Sequence, residues 1–222
     1  MAIPLVLYAA SGAQLAPVAA ALKVRGRQRP VPYPRIMIWC VFLVFTDVVD
    51  RVVTKLIGNN LWTAYLILPV EVGLVLWILS AWQVTPFLQL AYTIMIPVMG
   101  VVTAAALLLT DPTFTFYRWV APFLALLALA ASLHTLVYGA LQSRNPLPGQ
   151  DWFWFCLGLS LFWIGYVSLP VFADMFVVSH VEWVRWAYIA RAWSNIVAFV
   201  VMSWGILRYR GPEWSGSSSA RA

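Results

Sequence analysis

The chain has 222 residues, of which 63% are hydrophobic and 10% charged, with mean hydropathy +0.83 and net charge +6. Soluble domains carry about 25% charged residues, so this composition excludes a soluble globular domain and indicates a chain made for lipid. At this length a single domain is expected, without room for a separate soluble catalytic module.

A membrane-crossing helix needs about 20 mainly apolar residues. On that rule the chain is expected to be an all-α integral membrane protein, a seven-transmembrane-helix bundle. Spans are expected at about 2–22, 36–57, 61–82, 86–109, 115–141, 152–174 and 184–208, forming one domain over about 1–211. The breaks carry turn punctuation: "GRQRPVPYPR", "GNN", "QVTP", "TDPT", "QSRNPLPGQ" and "VSHVE". Residues 212–222, with "WSGSSSARA", read as a short disordered tail.

The first segment, "MAIPLVLYAASGAQLAPVAAALK", is interrupted by Gly12, Gln14 and Pro17. It lacks the positive n-region of a signal peptide, and its basic cluster follows the apolar run, so a retained first helix is expected.

The second span contains "FTDVVDRVVTK", residues 45 to 55, in which Asp47, Asp50, Arg51 and Thr54 recur at i, i+3, i+4 and i+7. That spacing places all four on one helical face. Charged side chains at the bilayer centre cost roughly 2.5–3.5 kcal/mol each on insertion scales, so such a face is expected to turn inward. The third span adds Glu71 near its middle, two residues after Pro69, whose missing N–H frees a carbonyl one turn back. The seventh carries Tyr188, Arg191 and Asn195 at i, i+3 and i+7. These stripes form the candidate ligand or proton site. Asp174, after Pro170 in the sixth span, is a secondary candidate as a partner for Arg191 or Arg185. Two readings stand for the stripes: a self-satisfied polar network that sets helix register, or a pocket that receives something.

His134 in the fifth span is the other secondary candidate. It could ligate a pigment such as chlorophyll or haem, but no second histidine pairs with it from another helix, and a hydrogen-bonded core histidine is the expected reading. Bound lipid is possible, and no cofactor is otherwise expected. Cys40 and Cys156 lie in apolar runs without metal-ligand spacing and read as buried free thiols; no metal site is expected. Gly158 and Gly165, with Ser160 and Ser168 nearby, offer small faces for close helix packing. Of the thirteen tryptophans, Trp62, Trp82, Trp119, Trp152, Trp154, Trp183 and Trp186 fall near expected span ends and read as interfacial anchors.

Seven spans gather Lys23, Arg25, Arg27, Arg29, Arg35, Arg144, Arg208, Arg210 and Arg221 on one side, against the acids Asp151 and Glu213. Basic residues favour the cytoplasmic side, which puts the N-terminus outside and the C-terminus in the cytoplasm. The net positive charge is thereby assigned to topology and anionic lipid, and no nucleic-acid partner is expected.

Several activities lack their parts. The last span has no lysine for a retinal Schiff base; Lys23 and Lys55 are the only lysines. No HExxH, recognisable protease pair, Walker motif or GxGxxG occurs. Neither an internal repeat with a Pro-Gln signature nor a filter-like Gly-rich repeat is found.

The segments "LWTAYLILPVEVGLVLW", "QDWFWFCLGLSLFWIGY" and "RAWSNIVAFVVMSWGILR" resemble small uncharacterised seven-helix membrane proteins of bacteria, similar in layout to the seven-helix sensor regions of histidine kinases. The resemblance implies the seven-helix layout and a multi-pass location in the bacterial inner membrane. A sensor of this kind would need a protein partner, because no kinase or cyclase follows the last span. The expected function is a non-catalytic sensor or binding protein with an outward-facing polar pocket. The alternatives are an accessory subunit of an energy-transducing or photosynthetic complex, and a small proton-coupled transporter or lipid-active membrane enzyme.

Overall fold

A computed structural model describes residues 3–24, 32–57, 61–109, 120–143, 146–176 and 181–208, with side chains at 3, 4, 61, 62, 64, 109, 168–176 and 181–185 excepted. The described residues are all α. The helices are α1 (Ile3–Ala13), α2 (Ala16–Lys23), α3 (Pro32–Ile57), α4 (Leu61–Ser80), α5 (Pro86–Leu109), α6 (Ala121–Gln142), α7 (Asp151–Phe176) and α8 (Val181–Arg208), with a 3-10 turn at Leu147–Gly149. Four stretches are long and apolar enough to cross a membrane: Leu5–Lys23, Pro86–Leu108, Ala121–Gln142 and Trp186–Arg208.

The element ends follow local chemistry. The expected span at 36–57 begins four residues earlier, at Pro32, because proline is tolerated in a first helical turn, where an N–H has no partner anyway. Asp151 sits in the first turn of α7 and Arg208 in the last turn of α8, each with the sign that suits the helix dipole. Pro69 and Pro97 are carried inside α4 and α5.

The expected first helix is two helices. At Gln14 and Leu15 the backbone tightens into turns, with Gln14 N–H donating to Ser11 O and Leu15 N–H to Gly12 O. Pro17 has no N–H to return to the Ala13 carbonyl and sits in the first turn of α2, where none is needed, so the missing rung falls at the break.

Packing arranges the helices as a ring with one outrigger. The α1–α2 pair lies against α8, α8 on α7, α7 on α6, α6 on α4, α4 on α3, and α2 closes the ring on α3. α5 packs chiefly on α4 and is the least buried of the four span-length stretches. Contacts between helix ends give relative directions, parallel for α3 and α7 and antiparallel for α3 and α4. Tyr33 at the start of α3 donates to Asp151 at the start of α7, and Thr63 at the start of α4 meets Asp50 near the end of α3.

Trp39 of α3 fills the ring's centre, with ring centroids 5.8 Å from Phe162, 6.3 Å from Phe155 and 5.9 Å from Phe199. Fully burying aromatic side chains is a large share of the apolar transfer energy, roughly 1.5–3 kcal/mol for a residue such as Phe. α7 and α8 approach closely at Gly158, where a Cβ would lie 2.6 Å from the Ala198 backbone oxygen, at Gly165, where it would lie 3.1 Å from Ser194 Oγ, and at Gly205 of α8, where it would lie 2.5 Å from Trp154 Cβ. The small faces read from the sequence are therefore helix–helix contacts. Two tryptophans read as interfacial anchors are instead inside: Trp82 packs on Phe155 at 5.0 Å, and Trp152 fills the space over Gly139. Trp186 is exposed. Cys40 and Cys156 are buried free thiols.

Candidate functional site

The polar face of α3 meets the break between α1 and α2. Ser11, three residues before Gln14, lies on the last turn of α1, and both side chains reach Asp47. Ser11 Oγ donates to Asp47 Oδ2 at 2.5 Å, and Gln14 Nε2 lies 3.4 Å from the same oxygen. One turn along α3, Arg51 donates through Nη2 to Ser11 Oγ at 2.7 Å, and its guanidinium stacks 4.6 Å from the Tyr8 ring centroid. Ser11 thus links an acid and a base of one helical face, accepting from one and donating to the other.

From the opposite wall, α8 contributes Arg191, whose guanidinium lies 4.2 Å from the ring centroid of Tyr166 on α7. An aromatic face attracts a cation, most strongly where water is excluded. Asn195, one turn further along α8, has an Oδ1 that is buried and has no hydrogen-bond partner, and the same holds for Gln14 Oε1. Ser11, Gln14, Asp47, Arg51, Arg191 and Asn195 line a cleft of about 230 Å³, joined by the half-exposed Tyr188; Tyr8 and Tyr166 stack on its arginines without lining it.

Five of the residues singled out by the sequence stripes line this cleft: Asp47, Arg51, Tyr188, Arg191 and Asn195. Asp50 does not line it; its Oδ1 accepts from Thr63 on α4, on the far side of α3. Glu71 does not line it either. It is 4% exposed, and its Oε1 has no hydrogen-bond partner. Asp174 lies outside the described side chains. Among the described residues of this face, each of these charges directly holds a neutral group: a hydroxyl and an amide for Asp47, a hydroxyl for Asp50, a hydroxyl for Arg51, and the ring and hydroxyl of Tyr166 for Arg191.

His134 belongs to a separate cluster between α5 and α6. Its Nδ1 lies 2.8 Å from Tyr92 Oη, and its ring stacks on Tyr138 at 5.6 Å. Tyr92 and Gln83 both reach Thr135, which completes a buried polar link beneath an exposed histidine. The hydrogen bond expected for His134 is present, but the ring is on the bundle surface rather than in its core.

Ser11, Gln14, Thr63 and Tyr166 were not singled out as site residues from sequence. Ser11 and Gln14 carried a signal: two polar residues three apart, beside Gly12 and Pro17, in an otherwise apolar helix. Thr63 carried none, because a threonine hydroxyl in a helix can bond its own backbone, and Tyr166 carried none, because one tyrosine in an aromatic-rich span reads as packing.

Comparison with protein-family models, with curated proteins and with solved structures finds no match.

Proposed function

We propose that this protein is a non-catalytic membrane binding protein, a seven-helix sensor of the bacterial inner membrane, whose cleft opens outward. In this reading α1 and α2 form the first span together, the N-terminus is outside and the C-terminus cytoplasmic. Of the basic residues that the sequence assigns to the cytoplasmic side, the described ones, Lys23 at the end of α2, Arg35 in the first turn of α3 and Arg208 in the last turn of α8, lie at the other ends of their helices from the cleft residues, which supports that orientation. The observation that carries the reading is the cleft itself: charges of both signs beside two buried, unpartnered amide oxygens, Gln14 Oε1 and Asn195 Oδ1. A network that served only helix register would be expected to satisfy its own acceptors, because an unmade buried hydrogen bond costs about 1–3 kcal/mol. Broken helices within membranes are tolerated where the freed backbone lines a cavity, and the α1–α2 break lies beside this one. Occupancy would bias two packings of α1–α2 against α8, and a membrane or cytoplasmic partner would read the difference.

Thiol labelling tests this directly, because Cys40 and Cys156 are both buried and give a quiet background. In intact cells, Ser11→Cys and Asn195→Cys are expected to react with a membrane-impermeant maleimide added from outside. Labelling only from the cytoplasmic side of inverted vesicles, or from neither side, would overturn the outward cleft.

A further inference from the structure

The chemistry of the cleft lining narrows what could occupy it. Resting on the reading of the cleft as an outward binding site, we propose that it takes a compact zwitterion of the α-amino-acid class, with its ammonium toward Asp47, Gln14 and Asn195 and its carboxylate toward Arg191 and Arg51.

Three features lead there. First, the unfilled groups are acceptors. Gln14 is 7% exposed, its Nε2 is turned to Asp47, and its Oε1 is left without a donor, as is Asn195 Oδ1. Buried acceptors call for N–H or O–H donors. A primary ammonium brings three N–H donors to the two amide oxygens and the Asp47 carboxylate, whereas a quaternary ammonium brings none. Second, both signs of charge line one small space. Arg191 and Arg51 present planar guanidinium groups, the geometry suited to a carboxylate. Their described partners are aromatic rings and two hydroxyls, Ser11 for Arg51 and Tyr166 for Arg191, against five N–H donors on each guanidinium, which leaves donors to spare. A zwitterion answers both signs and adds no net charge to a partly buried site. Third, at about 230 Å³ the cleft is smaller than the roughly 300–1,000 Å³ typical of drug-sized ligands, which suits a small metabolite.

The full chain in lipid nanodiscs is to be titrated with the standard L-amino acids, read by calorimetry and by shift of the melting temperature. Each binder is then compared with its N-acetyl and carboxamide derivatives. At least one free amino acid is expected to bind saturably, and blocking either end should weaken it by about tenfold or more, since a site built around polar groups rejects an analogue that leaves them unpaired. Asn195→Leu should weaken the amino acid and leave its N-acetyl form unaffected. Blocked forms binding as well as the parent would overturn the zwitterion class while leaving a binding cleft. So would an absence of binding by every amino acid in a protein whose cleft cysteines still label from outside. Absence of both binding and outside labelling would overturn the cleft reading as well.

Discussion

Ser11 of α1 donates to Asp47 of α3 at 2.5 Å across a gap of 36 residues, and the same hydroxyl oxygen accepts from Arg51 at 2.7 Å. A hydroxyl has one proton, and a charged acceptor at short distance takes it in preference to the helix carbonyl of Leu7 at 3.1 Å. One small side chain therefore ties the broken first helix to both charges of the α3 face.

Ser11→Ala is expected to destabilise the protein by about 1.5–3 kcal/mol, the range for hydrogen bonds to charged groups. Ser203→Ala serves as the control, because that hydroxyl only returns to the carbonyl of Phe199 in its own helix. Denaturant unfolding in detergent micelles distinguishes them; equal effects would mean that the Ser11 link contributes nothing beyond a local contact.

The α7–α8 seam predicts opposite signs for two identical substitutions. Gly158→Ala forces a methyl to 2.6 Å from the Ala198 oxygen, an overpacking expected to cost about 1–3 kcal/mol. Gly100→Ala on α5 meets nothing within 4 Å and should be neutral or stabilising by up to about 1 kcal/mol, as alanine loses less backbone freedom than glycine in a helix. Melting temperatures of the two variants in one detergent provide the comparison.

Arg191 stacks on the face of Tyr166 and also hydrogen-bonds its hydroxyl, so ring and hydroxyl both hold the guanidinium. Tyr166→Phe, which removes only the hydroxyl, should change stability by less than Tyr166→Leu, which also removes a cation–π contact worth about 0.5–2 kcal/mol. Arg191→Lys should fall between them, since an ammonium keeps the attraction to the ring but lacks the planar stacking surface. Unfolding midpoints across the three variants check the ordering.

Trp39 has aromatic neighbours on two helices at once, Phe155 and Phe162 on α7 and Phe199 on α8. Trp39→Ala is expected to cost about 3–5 kcal/mol through lost burial and the cavity left behind. Trp186, 63% exposed on α8, should tolerate alanine in detergent far better. Yield of folded, monodisperse protein by size-exclusion chromatography would show the difference.

The sequence by itself determined what depends on neighbours along one helix. Apolar run length and proline or glycine punctuation located the helices, and i, i+3, i+4 spacing put Asp47 and Arg51, or Arg191 and Asn195, on common faces, because helical geometry converts spacing into direction. Small residues at 158 and 165 likewise announced a close seam. What it could not determine was which face meets which. Asp50 and Asp47 are three residues apart and read as one stripe, yet helix packing sends one to Thr63 on α4 and the other to Ser11 on α1. Glu71 read as a cleft residue and is buried without lining the cleft, because the rotation of α4 about its axis is set by packing against α3, α5 and α6 that leaves no mark in its own apolar pattern. The break at Gln14 read as a weakness in a span. Only the tertiary structure made it part of the cleft, by laying the interrupted helix between Asp47 on one side and Arg191 and Asn195 on the other.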